Sequence, residues 1–162
     1  MSARQRRRNY LQKHNIMQLS GEFIISEALR LVGEGKDVIF PVKGTSMLPF
    51  IIGGKESAVF SPVKKIKKGR VVLAYTSGGN YVVHRIIKID NQNITLMGDG
   101  NLKGCEFCKI SDVKAEVNYV VGNNGKKRCL NSFWRVAAAF IWRILRPIRR
   151  YLLAAYRKFI LR

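Results

Sequence analysis

Six short apolar runs follow one another between residues 38 and 121, and no helical pattern interrupts them. They are rich in β-branched and aromatic residues, and turns of Gly, Asn and Lys separate them, as is typical of strands. Short strands at this spacing favour an antiparallel or mixed sheet or barrel. The sequence therefore predicts a mainly β protein with a folded β-barrel core. The predicted strands are Val38–Val42, Ser57–Val63, Val71–Tyr75, Tyr81–Ile89, Asn93–Met97 and Ala115–Val121.

Helical patterns flank this core on both sides. Apolar residues recur at three- and four-residue steps over residues 19–33, which predicts an N-terminal helix that ends at Gly33. The same period returns from Phe133 onward, where Pro147 should divide the segment into two short amphipathic helices. We therefore divide the chain into a basic flexible arm (1–15), a core (16–125, with its helix at 19–33 and its β region at 38–121) and a basic amphipathic tail (126–162).

Positive charge is concentrated at the two ends of the chain. The 162 residues contain 30 Lys and Arg against 10 Asp and Glu, a formal net charge of +20. Residues 1–15 and 126–162 carry no acidic residue, whereas the segment between them is close to neutral. The partners that the charge implies should therefore bind the ends of the chain.

The tail combines this charge with an apolar face. At 100° per residue, one face of the tail collects Phe133, Phe140, Ile144, Ile148, Tyr151, Leu152 and Phe159, and the opposite face collects Arg135, Arg143, Arg146, Arg149, Arg150 and Arg157. Such helices suit the surface of an anionic membrane, and we expect residues 131–162 to bind one. In one alternative the apolar face docks on the core. Nucleic-acid binding is the least favoured partner, because it would leave the apolar face unused.

Location and cofactors follow from what the sequence lacks. We expect no secretory signal peptide and no transmembrane helix, hence a peripheral membrane protein, on the cytoplasmic face.

Three cysteines, an odd number, argue against a disulfide framework. Cys105 and Cys108 have the spacing of half a zinc site, but a structural zinc needs four ligands, so two ordinary turn thiols are the preferred interpretation. We expect neither a metal nor another cofactor.

Three residue types that can catalyse acyl transfer stand at strand and turn positions. Ser46 lies in Gly44-Thr45-Ser46-Met47-Leu48-Pro49, directly after a predicted strand. His84 lies within Val83-His84-Arg85-Ile86, and Asp99 lies in the turn Gly98-Asp99-Gly100-Asn101. A serine hydroxyl becomes a nucleophile when an imidazole, with a reference pKa of about 6.5, accepts its proton and a carboxylate orients that imidazole. Taken singly, each residue has an ordinary structural explanation.

These blocks, with Gly69-Arg70-Val71-Val72-Leu73 between the first two, resemble the catalytic core shared by type I signal peptidases and the self-cleaving SOS-response repressors. The resemblance covers about half of the chain, from Pro41 to Val117. Bacterial signal peptidases and repressors use a lysine as the base. The histidine here is similar to that of the archaeal and endoplasmic-reticulum signal peptidases.

The resemblance implies a serine endopeptidase that cleaves peptides or preproteins after small residues. In it Ser46 attacks the scissile carbonyl and its backbone amide donates to the oxyanion. His84 relays the proton, and Asp99 orients His84. Met47 lines the pocket for a small substrate side chain. Asp112 is a second candidate acid, although a turn or cap residue is the preferred interpretation for it.

Two departures from the family pattern leave other functions open. Signal peptidases often have a serine two residues before the nucleophile, where this chain has Gly44, and their N-terminal transmembrane anchor is not found in this sequence. One alternative is a self-cleaving, DNA-binding regulator, but about 40 residues with one clear helix precede the core, too few for a helix-turn-helix domain. Another is a catalytically silent relative that binds peptides. A tail that serves only as an anchor would be dispensable for cleavage of a soluble peptide.

Overall fold

A computed structural model describes Gln5 and residues 23–160 of the chain. The predicted basic arm, apart from Gln5, and the first residues of the predicted N-terminal helix lie outside the described residues. Helix α1 covers residues 23–33, and eight strands and two more helices follow it. The strands are β1 (Val38–Pro41), β2 (Glu56–Ser61), β3 (Val71–Tyr75), β4 (Tyr81–Asp90), β5 (Asn93–Met97), β6 (Glu106–Lys109), β7 (Val113–Gly122) and β8 (Lys127–Cys129).

All strand pairs in the sheet are antiparallel, in the order β1-β2-β7-β3-β4-β5-β6, and β8 adds to β7. Strands β3 to β6 follow one another as neighbours in space, whereas the ten-residue strand β7 returns to lie between β2 and β3. The mainly β fold class is therefore confirmed. Within the described residues the sheet stays open rather than closing into a complete barrel.

The sheet folds so that its central strands are covered on both faces. Side chains alternate between the two faces of a strand. On β3, Val71 and Leu73 pack in one hydrophobic cluster together with Val32 of α1. Val72 and Ala74, on the other face, pack in a second cluster built mainly from β4, β5 and β6. All four residues are buried, so both clusters anchor the strands that carry the candidate site.

The sequence analysis did not predict the two short strands β6 and β8. All six predicted strands are present, and β3 and β5 have the predicted bounds. Strand β6 was interpreted as a turn with two thiols, but Cys108 lies within it, pairs in register with Ile94 of β5 and is buried. The interpretation of Cys108 as a turn residue was therefore wrong. A four-residue edge strand gives too short a pattern to be separated from a turn.

The tail forms the two predicted helices, α2 (Phe133–Ile144) and α3 (Arg149–Ile160), with Pro147 in the break between them. Ala139 and Leu153 are buried. Most large apolar side chains of the tail remain exposed, namely Phe133, Trp134, Val136, Phe140, Ile141, Ile144, Ile148, Tyr151 and Leu152. Among the residues that the model describes, no helix combines the length and the apolarity that crossing a bilayer requires.

Candidate active site

Ser46 lies in a compact turn between β1 and β2. The amide of Phe50 donates to the carbonyl of Met47 at 2.9 Å, and that of Leu48 donates to Thr45 O at 3.3 Å. The side chains of Met47 and Leu48 are 2% and 1% exposed, so they anchor the turn in the protein interior. Ser46 itself is only half-buried. Local packing therefore fixes the backbone while the hydroxyl-bearing residue stays at the surface.

The turn after β5 packs directly against this serine turn. The amide of Gly100 donates to the carbonyl oxygen of Ser46 at 2.6 Å. A Cβ atom on Gly100 would lie 2.5 Å from Thr45 O, and one on Gly98 would lie closer than 3.0 Å to Ser46 O. Real Cβ atoms do not approach other atoms so closely. Only glycine at both positions allows the two backbones to meet.

His84 reaches the same place from β4. Its imidazole is buried, and Nδ1 lies 2.9 Å from Oε2 of Glu106 on β6. Strand β5 runs between them, but Gly98 directly follows that strand and has no side chain to block the imidazole. The position of a Cβ on Gly98 lies 3.0 Å from His84 Nε2 and closer than that to the Ser46 carbonyl oxygen. The free edge of the imidazole therefore lies against the serine turn.

The hydrogen bond to Glu106 also sets the chemistry of the ring. Beside an ionised carboxylate, which only accepts hydrogen bonds, a neutral imidazole carries its proton on Nδ1 and has Nε2 as its acceptor. Among the described residues, neither His84 Nε2 nor the Ser46 hydroxyl has a hydrogen-bond partner. Both groups are therefore free to bond to a substrate or to each other. Catalytic hydrogen bonds often tighten only when substrate binds.

Asp99, predicted to orient His84, pairs with Arg85 instead. The guanidinium donates from Nε to Oδ1 at 2.9 Å and from Nη2 to Oδ2 at 2.7 Å, and each side chain is 8% exposed. Arg85 Nη1 donates further to Gly69 O at 2.6 Å. These bonds engage both oxygens of the Asp99 carboxylate. The structure therefore corrects the prediction: the carboxylate beside the imidazole is that of Glu106, and Asp99 ties its turn to β4.

Two other predicted site residues, Asp112 and Met47, stabilise the fold. Asp112 accepts a hydrogen bond from the amide of Lys109 at 3.1 Å and closes the 3-10 turn Ile110–Asp112, in line with the cap interpretation. Met47 packs in the first hydrophobic cluster and is too deeply buried to line an open substrate pocket.

Cys105, Cys108 and Cys129 are free thiols, and burial raises the pKa of Cys108. The described residues contain no group of His, Cys, Asp and Glu arranged for a metal ion.

The residue that the sequence analysis missed is Glu106. Its strand was not recognised, so no inward-facing carboxylate was expected there. Glu106 and Cys108 alternate with the exposed Phe107, which places the carboxylate and the buried thiol on the same face of β6. This alternation was the available signal, since a carboxylate on the buried face of a strand requires a partner.

The tail helices also contact the site. Trp142 Nε1 donates to the carbonyl of Asp99 at 2.7 Å, and Arg149 Nη1 donates to the carbonyl of Asn101 at 3.0 Å. Arg157 Nη2 lies 3.4 Å from the hydroxyl of Thr45, next to the candidate nucleophile. Arg149 was predicted to lie on the open arginine face of the tail, but it is 3% exposed. The interior therefore contains one of the arginines that the sequence analysis placed on the charged outer face of the tail.

Comparison with known families identifies the family of this chain. The family model described as Peptidase S24-like matches residues 6–110, well over half of the chain. The chain belongs to the Peptidase S24-like family. Members of this family are serine peptidases, although some are catalytically inactive or act as regulators. The matched region of this S24-like protein contains Ser46, His84 and Glu106 but ends before β7 and the tail. No match was found among curated proteins.

We expect Asp99→Asn to destabilise the fold by about 3 kcal/mol, because it leaves Arg85 as a buried, uncompensated charge. The measurement is the free energy of unfolding in urea. Asp90→Asn is the matched control, since Asp90 forms an exposed ion pair with Lys88 whose loss should cost less than about 1 kcal/mol. Equal effects of the two substitutions would show that the Arg85–Asp99 pair does not hold the turn.

Proposed function

We propose that this S24-like protein is a serine endopeptidase in which Ser46 is the nucleophile, His84 the general base and Glu106 the carboxylate that orients the base. The observation that supports this assignment is the position of His84, held by Glu106 on one side and lying against the serine turn on the other. Glu106 replaces Asp99 in the scheme because Asp99 is already paired with Arg85.

In the proposed reaction, His84 Nε2 takes the proton of the Ser46 hydroxyl as Oγ bonds to the scissile carbonyl carbon. Glu106 stabilises the imidazolium that forms. The tetrahedral intermediate places its oxyanion near the Ser46 amide, which has no hydrogen-bond partner among the described residues. When the C–N bond breaks, the imidazolium gives its proton to the leaving amine. A water molecule, deprotonated by His84, then attacks the acyl-enzyme, and His84 returns the proton to Ser46 Oγ as the ester C–O bond breaks.

Replacement of the nucleophile and of the base tests the assignment directly. Ser46→Ala should abolish labelling by a serine-directed acylating probe, because the proposed nucleophile is lost. His84→Gln should slow labelling at least about 100-fold, because the proton acceptor is lost. Both are read by intact-protein mass spectrometry with the folded state checked by circular dichroism. Wild-type protein that resists labelling and cleaves no peptide would be a catalytically silent relative.

Glu106→Gln tests the new acid. The amide can still contact His84 but no longer stabilises the imidazolium, so we expect kcat to fall by between about tenfold and 1,000-fold. Asp112→Asn, a second carboxylate-to-amide change close by in the chain, should leave kcat unchanged because Asp112 caps a turn. A loss of activity in Asp112→Asn with none in Glu106→Gln would reverse the assignment.

We propose further that the enzyme works at an anionic membrane surface, on peptides or preproteins with small residues before the cleaved bond. Support comes from the tail, where Phe140, Ile144 and Tyr151 are more than half exposed. Arg143, Arg146 and Arg150 are exposed nearby. Apolar side chains gain free energy in the interfacial region of a bilayer, and each arginine adds about 1 kcal/mol against anionic headgroups.

Liposome flotation distinguishes specific membrane binding by the tail from nonspecific hydrophobic adsorption. Phe140→Ser should lower the fraction of protein bound to vesicles that contain phosphatidylserine, since it removes a large apolar contact. Phe107→Ser is a close control, because Phe107 on β6 has the same 58% exposure but lies outside the tail. Binding should weaken with added salt and be small on neutral vesicles. Equal losses for the two variants would contradict a membrane role for the tail.

A further inference from the structure

The tail helices touch the peptide group that holds Ser46. The amide of Gly100 donates to the Ser46 carbonyl at 2.6 Å. The carbonyl of Asp99, at the other end of that same peptide group, accepts a hydrogen bond from Trp142 Nε1 at 2.7 Å. A peptide group is planar. The direction of the Gly100 amide is therefore fixed by whatever holds the Asp99 carbonyl.

Arg149 fixes the indole in turn. Its Nη2 atom donates to the carbonyl of Trp142 at 2.8 Å, and its Nη1 atom donates to the carbonyl of Asn101 at 3.0 Å. The guanidinium also lies 5.5 Å from the centre of the Trp142 ring. Trp142 is in the last turn of α2, where carbonyl groups lack helical partners. One buried side chain thus links the end of α2 to the turn that follows β5.

Burial of the Arg149 guanidinium costs free energy, and its hydrogen bonds have to offset that cost. Arg149 is 3% exposed, and among the described residues it forms no ion pair within 4.0 Å. Burial lowers the pKa of its guanidinium below the ordinary value. A buried charge is tolerated when hydrogen bonds replace those of water. Here two backbone carbonyls accept from Nη1 and Nη2, whereas Nε is buried without a hydrogen-bond partner among the described residues. The alternative, a solvated Arg149, would release Trp142 from the turn.

From these contacts we infer that Trp142 and Arg149 are positioning residues for the nucleophile: they orient the Asp99–Gly100 peptide group and, through it, the backbone of Ser46. This inference rests on the proposed peptidase activity, but it adds residues outside the region that the family model matches. It also revises the expectation that the tail is dispensable for cleavage of a soluble peptide. A displacement of about 1 Å at a reacting atom can cost 100-fold in rate.

Trp142→Phe tests the inference because it keeps an aromatic ring and removes the N–H donor. We expect kcat for a soluble peptide to fall about tenfold while KM changes less than twofold. Trp134→Phe, the same substitution on the same helix at a side chain that is 80% exposed, should leave both constants unchanged. Arg149→Met and its exposed neighbour Arg150→Met form a second pair, with the loss expected only in the first.

Amide hydrogen exchange provides a readout that does not depend on activity. Exchange at Gly100 should be about tenfold faster in Trp142→Phe than in the wild type, and unchanged in Trp134→Phe. If the wild type proves inactive, the peptidase proposal fails and the exchange data still decide whether Trp142 orients the peptide group. If the wild type is active and Trp142→Phe matches Trp134→Phe in kcat and in exchange, the inference is overturned and the peptidase proposal stands.

Discussion

The candidate site depends on one backbone contact, the 2.6 Å hydrogen bond from the Gly100 amide to the Ser46 carbonyl. It joins two turns that belong to strands far apart in the chain. The approach is possible because neither Gly98 nor Gly100 has a side chain. The same missing side chain at Gly98 leaves space for the imidazole of His84. One close contact thus brings the alcohol and the base to the same place.

Two carboxylates near this contact have different environments and therefore different tasks. Asp99 is buried against Arg85, and its two oxygens are engaged by the guanidinium. Such a pair fixes geometry, because removing either partner leaves a buried charge. The side chain of Glu106 is 31% exposed and faces one nitrogen of His84. It is the carboxylate that can respond when the imidazole gains a proton.

The sequence was sufficient for the fold class, and it singled out two of the three residues in the proposed catalytic site, Ser46 and His84. The short apolar runs located β3 and β5 to the residue, because turn residues bound each five-residue strand on both sides. The order of motifs brought Ser46 and His84 together. Asp99 was predicted to orient His84, but the sequence does not decide between Asp99 and Glu106, because both follow the histidine in the chain. Only the pairing of β6 with β5, a tertiary fact, decides which of them lies beside His84.

Tertiary structure also shows which tail residues contact the core, which the helical pattern of the tail did not indicate. The pattern located α2 and α3 and their break at Pro147, but a period of 3.6 residues cannot tell which arginine is buried. Arg149 is the buried one, and its guanidinium donates to the carbonyls of Asn101 and Trp142. Trp142 likewise looked like one more member of an amphipathic helix. Its indole N–H has a specific acceptor in a turn 43 residues earlier.

The glycine-to-backbone approach has a consequence for redesign of this molecule. Where two turns are in direct backbone contact, no side chain lies between them, so no substitution there can adjust the distance between the turns in small steps. An added methyl group at Gly98 or Gly100 would force the turns apart. Laboratory evolution of this protein should therefore leave these glycines unchanged and accumulate substitutions on the surrounding strands and loops.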